Sequence, residues 1–219
     1  TVRQMTTYGS SGWEILTAAD EFGPDMIVTG SQGHSGISRL ILGSTSQKVL
    51  TEARCSVRIG RGKVEVDPAA GRIIIGYDGS AGATACVKAV GARNWPDNTE
   101  VRLIAATDSA APTAIARFIP TVAERADDET KAEHKWIEYL IEKAAAELTS
   151  LGLTVSTEVC EGNPNEVLVR EAENWHADCI FVGANAQGGR FERFLLGSTP
   201  SAVAARAGCS VEVVRGEKK

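Results

Sequence analysis

A chain of 219 residues is long enough for one large domain or up to two small ones. Its apolar share of 43% and charged share of 23% are ordinary for a soluble globular protein, and a net charge of -5 argues against a nucleic-acid-binding surface. No apolar run is long enough to cross a membrane, and the opening TVRQMTTYGSSGWEIL lacks the basic-then-apolar layout of a secretory signal. Cys55, Cys86, Cys160, Cys179 and Cys209 include no CxxC spacing, so they read as small hydrophobes of a reducing compartment rather than a zinc or redox site. His34, His134 and His176 are scattered. A cytoplasmic protein is expected.

In chain order, DMIVTG at 25–30 is a short apolar run that ends in a glycine loop, GSQGHSGISRLILGSTS. The loop runs from Gly30 through Gly33 to Gly43, and Ser44 opens a helix. Glycines let backbone N–H groups approach an anion, the helix N-terminus is partly positive, and the hydroxyls of Ser44, Thr45 and Ser46 can donate to phosphate oxygens. No lysine follows the last glycine, which excludes a Walker loop. A plain strand-to-helix turn with Ser44 as cap is the competing reading. The loop's length, its recurrence and its place in the fold favour nucleotide binding. ARCSVRIGRG at 53–62 supplies the next strand, and 63–71 carries the proline, glycine and charge of a domain boundary.

RIIIGYDGS at 72–80 reads as a buried strand and a helix start, and 81–95 has helical spacing. Residues 100–107 form a second strand. Residues 108–129, with two prolines and mixed charge, suggest a loop, either a lid or a connector. Residues 131–151 are helical, with Trp136, Ile137, Leu140, Ile141 and Leu148 as the apolar stripe. A strand at 153–159, a helix from Pro164 to about Trp175, a strand at 179–182, a helix from Ser198 and a strand at 210–214 complete the chain. Trp95, Trp136 and Trp175 sit where core packing is favoured over ligand stacking.

The chain repeats itself. DMIVTG returns as DCIFVG at 178–183, SRLILGST at 38–45 as ERFLLGST at 192–199, and ARCSVRIGRG as AGCSVEVVRG at 207–216. The offset is 153 ahead of the loop (25 to 178) and 154 after it (43 to 197), so the second loop holds one extra residue. Five strands alternating with four helices give a doubly wound parallel sheet, whose ligands bind beyond the carboxyl ends of the strands at the switch point.

With GSQGHSGISRLILGSTS, IIIGYDGS and EGNPNEVLVREAENWHADCIFVG in view, the chain resembles the universal stress protein family along essentially its whole length. The resemblance implies an α/β fold with a five-stranded parallel sheet in order 3-2-1-4-5. It divides the chain into the C-terminal part of a first copy (1–62), a linker (63–71) and a complete second copy (72–216). It also implies binding of ATP or AMP, with or without Mg, a stress-response regulatory role, and pairing through the fifth strands. That pairing is either a homodimer or an intrachain pseudo-dimer around 57–59 and 211–214. Carried over, Asp78 approaches the adenosine end, Ala106 contacts adenine through its backbone, and Gly183, Gly188, Gly197, Ser198 and Thr199 cradle ribose and phosphates.

Residues 2–7 and 26–29 then become strands three and four of the first copy, with strands one and two lacking between them. A fragment of a longer tandem protein is the expectation. In the second loop Ala186 or Gln187 replaces the second motif glycine, and Pro200 replaces a hydroxyl residue, which predicts weak binding there. Arg39 and Arg193 suit either a phosphate or plain solvation. With no paired carboxylates and no nucleophile–base pair, fast catalysis is not expected. The alternatives are a degenerate dimerisation module without nucleotide, or a slow ATPase or phosphotransferase drawing on Asp78 and Asp108.

Overall fold

Ile73, Ile74 and Ile75 are all fully or nearly fully buried, as a strand covered on both faces requires. The structure, a computed structural model, describes residues 1–31, 42–62, 71–107, 120–184 and 196–216, the side chains of 120–131 and 133 excepted. In chain order the elements are α1 (Ser11–Phe22), β1 (Met26–Gly30), α2 (Ser44–Glu52), β2 (Ser56–Gly60), β3 (Arg72–Gly76), α3 (Ala81–Gly91) and β4 (Glu100–Thr107). They continue with α4 (Pro120–Ser150), β5 (Thr154–Glu161), α5 (Pro164–Asn174), β6 (Cys179–Gly183), α6 (Ser198–Arg206) and β7 (Ser210–Val214).

The strands form one sheet in the order β1-β2-β7-β6-β3-β4-β5. Its five-strand portion β5-β4-β3-β6-β7 is parallel throughout and has the 3-2-1-4-5 order expected of the second copy. β1 and β2 pair in parallel with each other, while β2 joins β7 antiparallel through Val57↔Val213, Arg58↔Glu212 and Ile59↔Val211. The sheet therefore runs without a break from one copy into the other, and the fifth strands of the two copies meet within the chain.

Alternation along the strands sorts the core onto two faces. Val57, Ile59, Ile74, Ile104, Ile180, Val182, Val211 and Val213 meet residues of α2, α5 and α6 on one side. Ile73, Ile75, Val101, Leu103, Phe181 and Val214 meet α3 and α4 on the other. β1 lies at an edge, and Val28 on it is 62% exposed. Val28 alternates with Ile27, which packs on the first face.

Three sequence expectations differ from the structure. Residues 2–7 form no strand and lie exposed, because the neighbouring strand that the 3-2-1-4-5 order requires beside them is not among the described residues of the first copy. α4 begins at Pro120, not at 131. The proline marks the first helical turn, where its missing N–H costs nothing, rather than a loop. Trp136 belongs to no core stripe: it is 61% exposed and stacks on Tyr139 at 5.7 Å, while Ile141 and Leu148 carry the burial. Trp95 does pack inward, edge-on to Phe181, with Nε1 donating to the Val90 carbonyl at 2.8 Å.

Candidate functional site

β3 leaves the sheet at Gly76, and its two neighbours in the order, β4 and β6, diverge there toward helices on opposite faces. This is the switch point of a doubly wound sheet. A cavity of about 230 Å³ lies at it. Its walls come from the carboxyl ends of β3, β4 and β6, the start of α3, one face of α5 and the first turn of α6.

After β3 the chain turns through Asp78-Gly79-Ser80. Gly79 adopts φ +76°, which a side chain resists. The Ser80 N–H donates to Asp78 Oδ1 at 2.9 Å, and Ser80 Oγ accepts from the Ala83 N–H at 3.1 Å. One short segment thus caps α3 and fixes the Asp78 carboxylate at the rim. Beside it, Tyr77 is buried, which pushes its phenol up from the ordinary range.

In β4 the Ile104 carbonyl accepts from the Tyr77 N–H at 2.8 Å, so the backbone of Ile104 points toward β3. Two residues on, Ala106 points its N–H and carbonyl the same way by the strand period. By then β3 has turned off, as its register with β4 ends at Gly76↔Ile104. A peptide donor and acceptor thereby face the cavity. Around them the wall is apolar: Ile104, Val182, Pro164 and, one helical turn after Pro164, Leu168. Gly76 forms part of the lining, and a Cβ there would stand 2.9 Å from Leu168 Cδ1.

Opposite lies the N-terminus of α6. The Gly197 N–H donates to the Ala184 carbonyl at 2.8 Å, and the Ser201 N–H returns to Gly197 at 3.2 Å. Pro200 has no N–H. The N–H groups of Ser198 and Thr199 make no hydrogen bond among the described residues, and with their two hydroxyls they form the positive end of the helix. Gly183 has a second reason to be glycine: a Cβ there would stand 2.5–2.9 Å from the backbone of Gly82, where α3 crosses β6.

Asp78, Ala106, Gly183, Gly197, Ser198 and Thr199 therefore converge on one cavity. Gly30, Gly43, Ser44, Thr45 and Ser46 do not join them; they stand at the carboxyl end of β1 and the start of α2. There Ser46, 4% exposed, gives its hydroxyl to the Gly30 carbonyl at 2.6 Å and faces Thr29 Oγ1 at 3.3 Å, so it is committed to the protein rather than to a phosphate. Pro200 occupies the equivalent position in the second copy and offers the Gly183 carbonyl no such donor. Gly33, Gly188, Arg39, Arg193, Ala186, Gln187, Asp108 and most of the linker 63–71 lie outside the described residues. Sequence reasoning passed over Gly76, Ile104, Leu168 and Val182, although the spacing of Pro164 and Leu168 places both on one helix face.

Comparison with known proteins agrees with this architecture. The model of the universal stress protein family matches residues 1–61 and 70–215. Universal stress protein YxiE of Bacillus subtilis is 45% identical over 62 residues, 27% of this chain and 42% of that protein. Universal stress protein A homolog 2 of Coxiella burnetii is 44% identical over 54 residues, 25% of this chain and 36% of that protein. These stretches thus span less than half of either relative's length. The crystal structure of a universal stress protein from Archaeoglobus fulgidus superposes with a TM-score of 0.60 at 23% identity, over 95% of this chain and 66% of that one, and shares the fold. With both repeats matched along nearly their whole length, the chain belongs to the universal stress protein family.

Proposed function

We propose that the cavity at the ends of β3, β4 and β6 binds an adenine nucleotide, ATP or AMP, and that the chain acts as a nucleotide-responsive regulator in the stress response. One observation carries this reading: an apolar slot edged by the Ala106 peptide stands opposite a helix N-terminus with two hydroxyls and two N–H groups that make no hydrogen bond among the described residues. The slot suits a flat heteroaromatic base, the Asp78 carboxylate suits ribose hydroxyls, and the N-terminus of α6 suits a phosphate. The enclosed volume of about 230 Å³ is just below the usual range of small-molecule sites, roughly 300–1,000 Å³. It takes the base and leaves the phosphates on the open rim, where Mg can accompany them. Asp78 is the only carboxylate among the described lining residues, and the function proposed is binding with at most slow hydrolysis.

A second reading, in which the second copy serves pairing and has lost nucleotide, draws on Pro200, which removes one N–H and one hydroxyl from the phosphate end. Thermal unfolding of the full chain with ATP, with AMP and without ligand separates the two. A ligand at a hundred times its Kd stabilises by about 2.7 kcal/mol, several degrees for a chain of this size. No shift with either nucleotide at millimolar concentration would leave the pairing module as the better reading.

A further inference from the structure

The junction between the copies is built on an approximate two-fold axis. A residue of β2 or its flanks corresponds to the residue 154 positions later (58 to 212), and the contacts come in matched pairs. Val57 faces Val213 and Ile59 faces Val211. The Arg61 guanidinium donates to the carbonyls at the end of α6, Ala207 at 3.0 Å and Ala205 at 3.4 Å. Its counterpart Arg215 donates to those at the end of α2, Leu50 at 2.7 Å and Thr51 at 3.4 Å. The Arg61 N–H donates to Ser210 Oγ and the Arg215 N–H to Ser56 Oγ, each at 3.1 Å. Each of these contacts suits a copy meeting a second copy of itself equally well.

The central position does not. There Arg58 lies directly opposite Glu212. Glu212 is fully buried and accepts from Arg58 Nε at 3.0 Å and from both terminal nitrogens of Arg93, at 2.8 and 2.5 Å. Both guanidiniums lie against the Phe181 ring, with centroid distances of 5.6 and 5.3 Å. In a self-pairing across the same axis this position would face itself. Two Arg58 groups would meet with no carboxylate between them, or two Glu212 groups would meet, each retaining only its own Arg93. Like charges directly opposite on paired strands destabilise, and the more so out of water.

We propose that the Arg58–Glu212 pair is a recognition code on an otherwise self-complementary edge: it makes the β2 edge select a β7 edge and reject a second copy of itself. The partner this surface fits is an antiparallel fifth strand with an acidic residue at the axis, such as the one this chain supplies.

The test uses the full chain in two differently tagged forms. Arg58→Glu alone and Glu212→Arg alone each place like charges at the axis, and each should lower the melting midpoint by on the order of 10 °C. The double variant Arg58→Glu/Glu212→Arg, which restores opposite charges, should regain most of that loss. Mixing the two single variants should yield a 1:1 complex that co-purifies, because each variant's β2 now complements the other's β7; neither variant should co-purify with itself to the same extent. Single variants as stable as the parent would overturn the code. So would a double variant whose losses simply add, or folded single variants that mix without forming the complex.

Discussion

Gly183 is the position at which a packing reason and a ligand reason for glycine can be separated. A Cβ there would stand 2.5 Å from the Gly82 carbonyl carbon, 2.7 Å from its Cα and 2.9 Å from its oxygen. All three atoms are backbone, so no rotamer relieves the clash; α3 must lift from β6. Overpacking of this kind costs about 1–3 kcal/mol, which for a chain of this length lowers the melting midpoint by roughly 2–12 °C. Gly76→Ala is the comparison. Its nearest contact is Leu168 Cδ1 at 2.9 Å, the end of a side chain that can turn, so the cost should be smaller while the added methyl intrudes on the cavity. Urea denaturation of both variants, followed by calorimetric titration with ATP, reads the two effects. Gly183→Ala should lose stability first, and Gly76→Ala should lose nucleotide first. A Gly183→Ala protein as stable as the parent would mean that helix crossing does not require the glycine, and the packing account would fail.

Ser46→Ala removes the donor to the Gly30 carbonyl and should cost about 1–3 kcal/mol in urea denaturation, with ATP affinity at the second-copy cavity unchanged. Leu168→Ala empties a buried wall of that cavity, Leu168 being 3% exposed, and should cost about 2–5 kcal/mol. Burial raises the Cys179 thiol from 9.0 to about 12 and the Cys209 thiol to about 11. Raised folded-state values hold protons that the unfolded chain releases, so this contribution is complete below pH 9 and is lost as the pH rises toward 11–12. Denaturation midpoints measured from pH 8 to 11 should fall, and Cys179→Ala should fall less steeply above pH 9 than the parent.

Much of the second copy could be read from residues alone. RIIIG, EVRLIAAT, CIFVG and SVEVV are short apolar runs closed by turn residues, and each became a strand of the expected parallel order. Asp78, Ala106, Gly197 and Ser198, which the family pattern implies, line one cavity because they follow strands or open a helix, where position in sequence fixes position in space. Position in sequence does not announce the contact of Gly183 with Gly82, which joins the end of β6 to the start of a helix far earlier in the chain. Pro120 starts α4 inside a stretch whose prolines suggest a loop, because a proline opens a helix as readily as it interrupts one. Residues 2–7 form no strand because a strand needs a hydrogen-bonded partner beside it. The pairing of β2 with β7 follows the family resemblance, whereas the charge reversal at Arg58 and Glu212 takes its meaning from the register, which sets the two residues opposite each other.

The antiparallel join of β2 to β7 also sets the polarity of what lies above it. α2 and α6 line one groove and stand in opposite senses, so the electron-rich carbonyl end of each lies at the same end of the sheet as the amino end of the other. A phosphate seated on Ser198 and Thr199 would then share its end of the molecule with the partial negative charge of the α2 carboxyl terminus. Arg215 leaves β7 at that end, one residue beyond the Gly183↔Val214 pair, and donates to the Leu50 and Thr51 carbonyls. Arg61 does the same for α6 at the other end. The contacts that tie the two copies together thus also set a guanidinium charge on the carbonyl end of each helix.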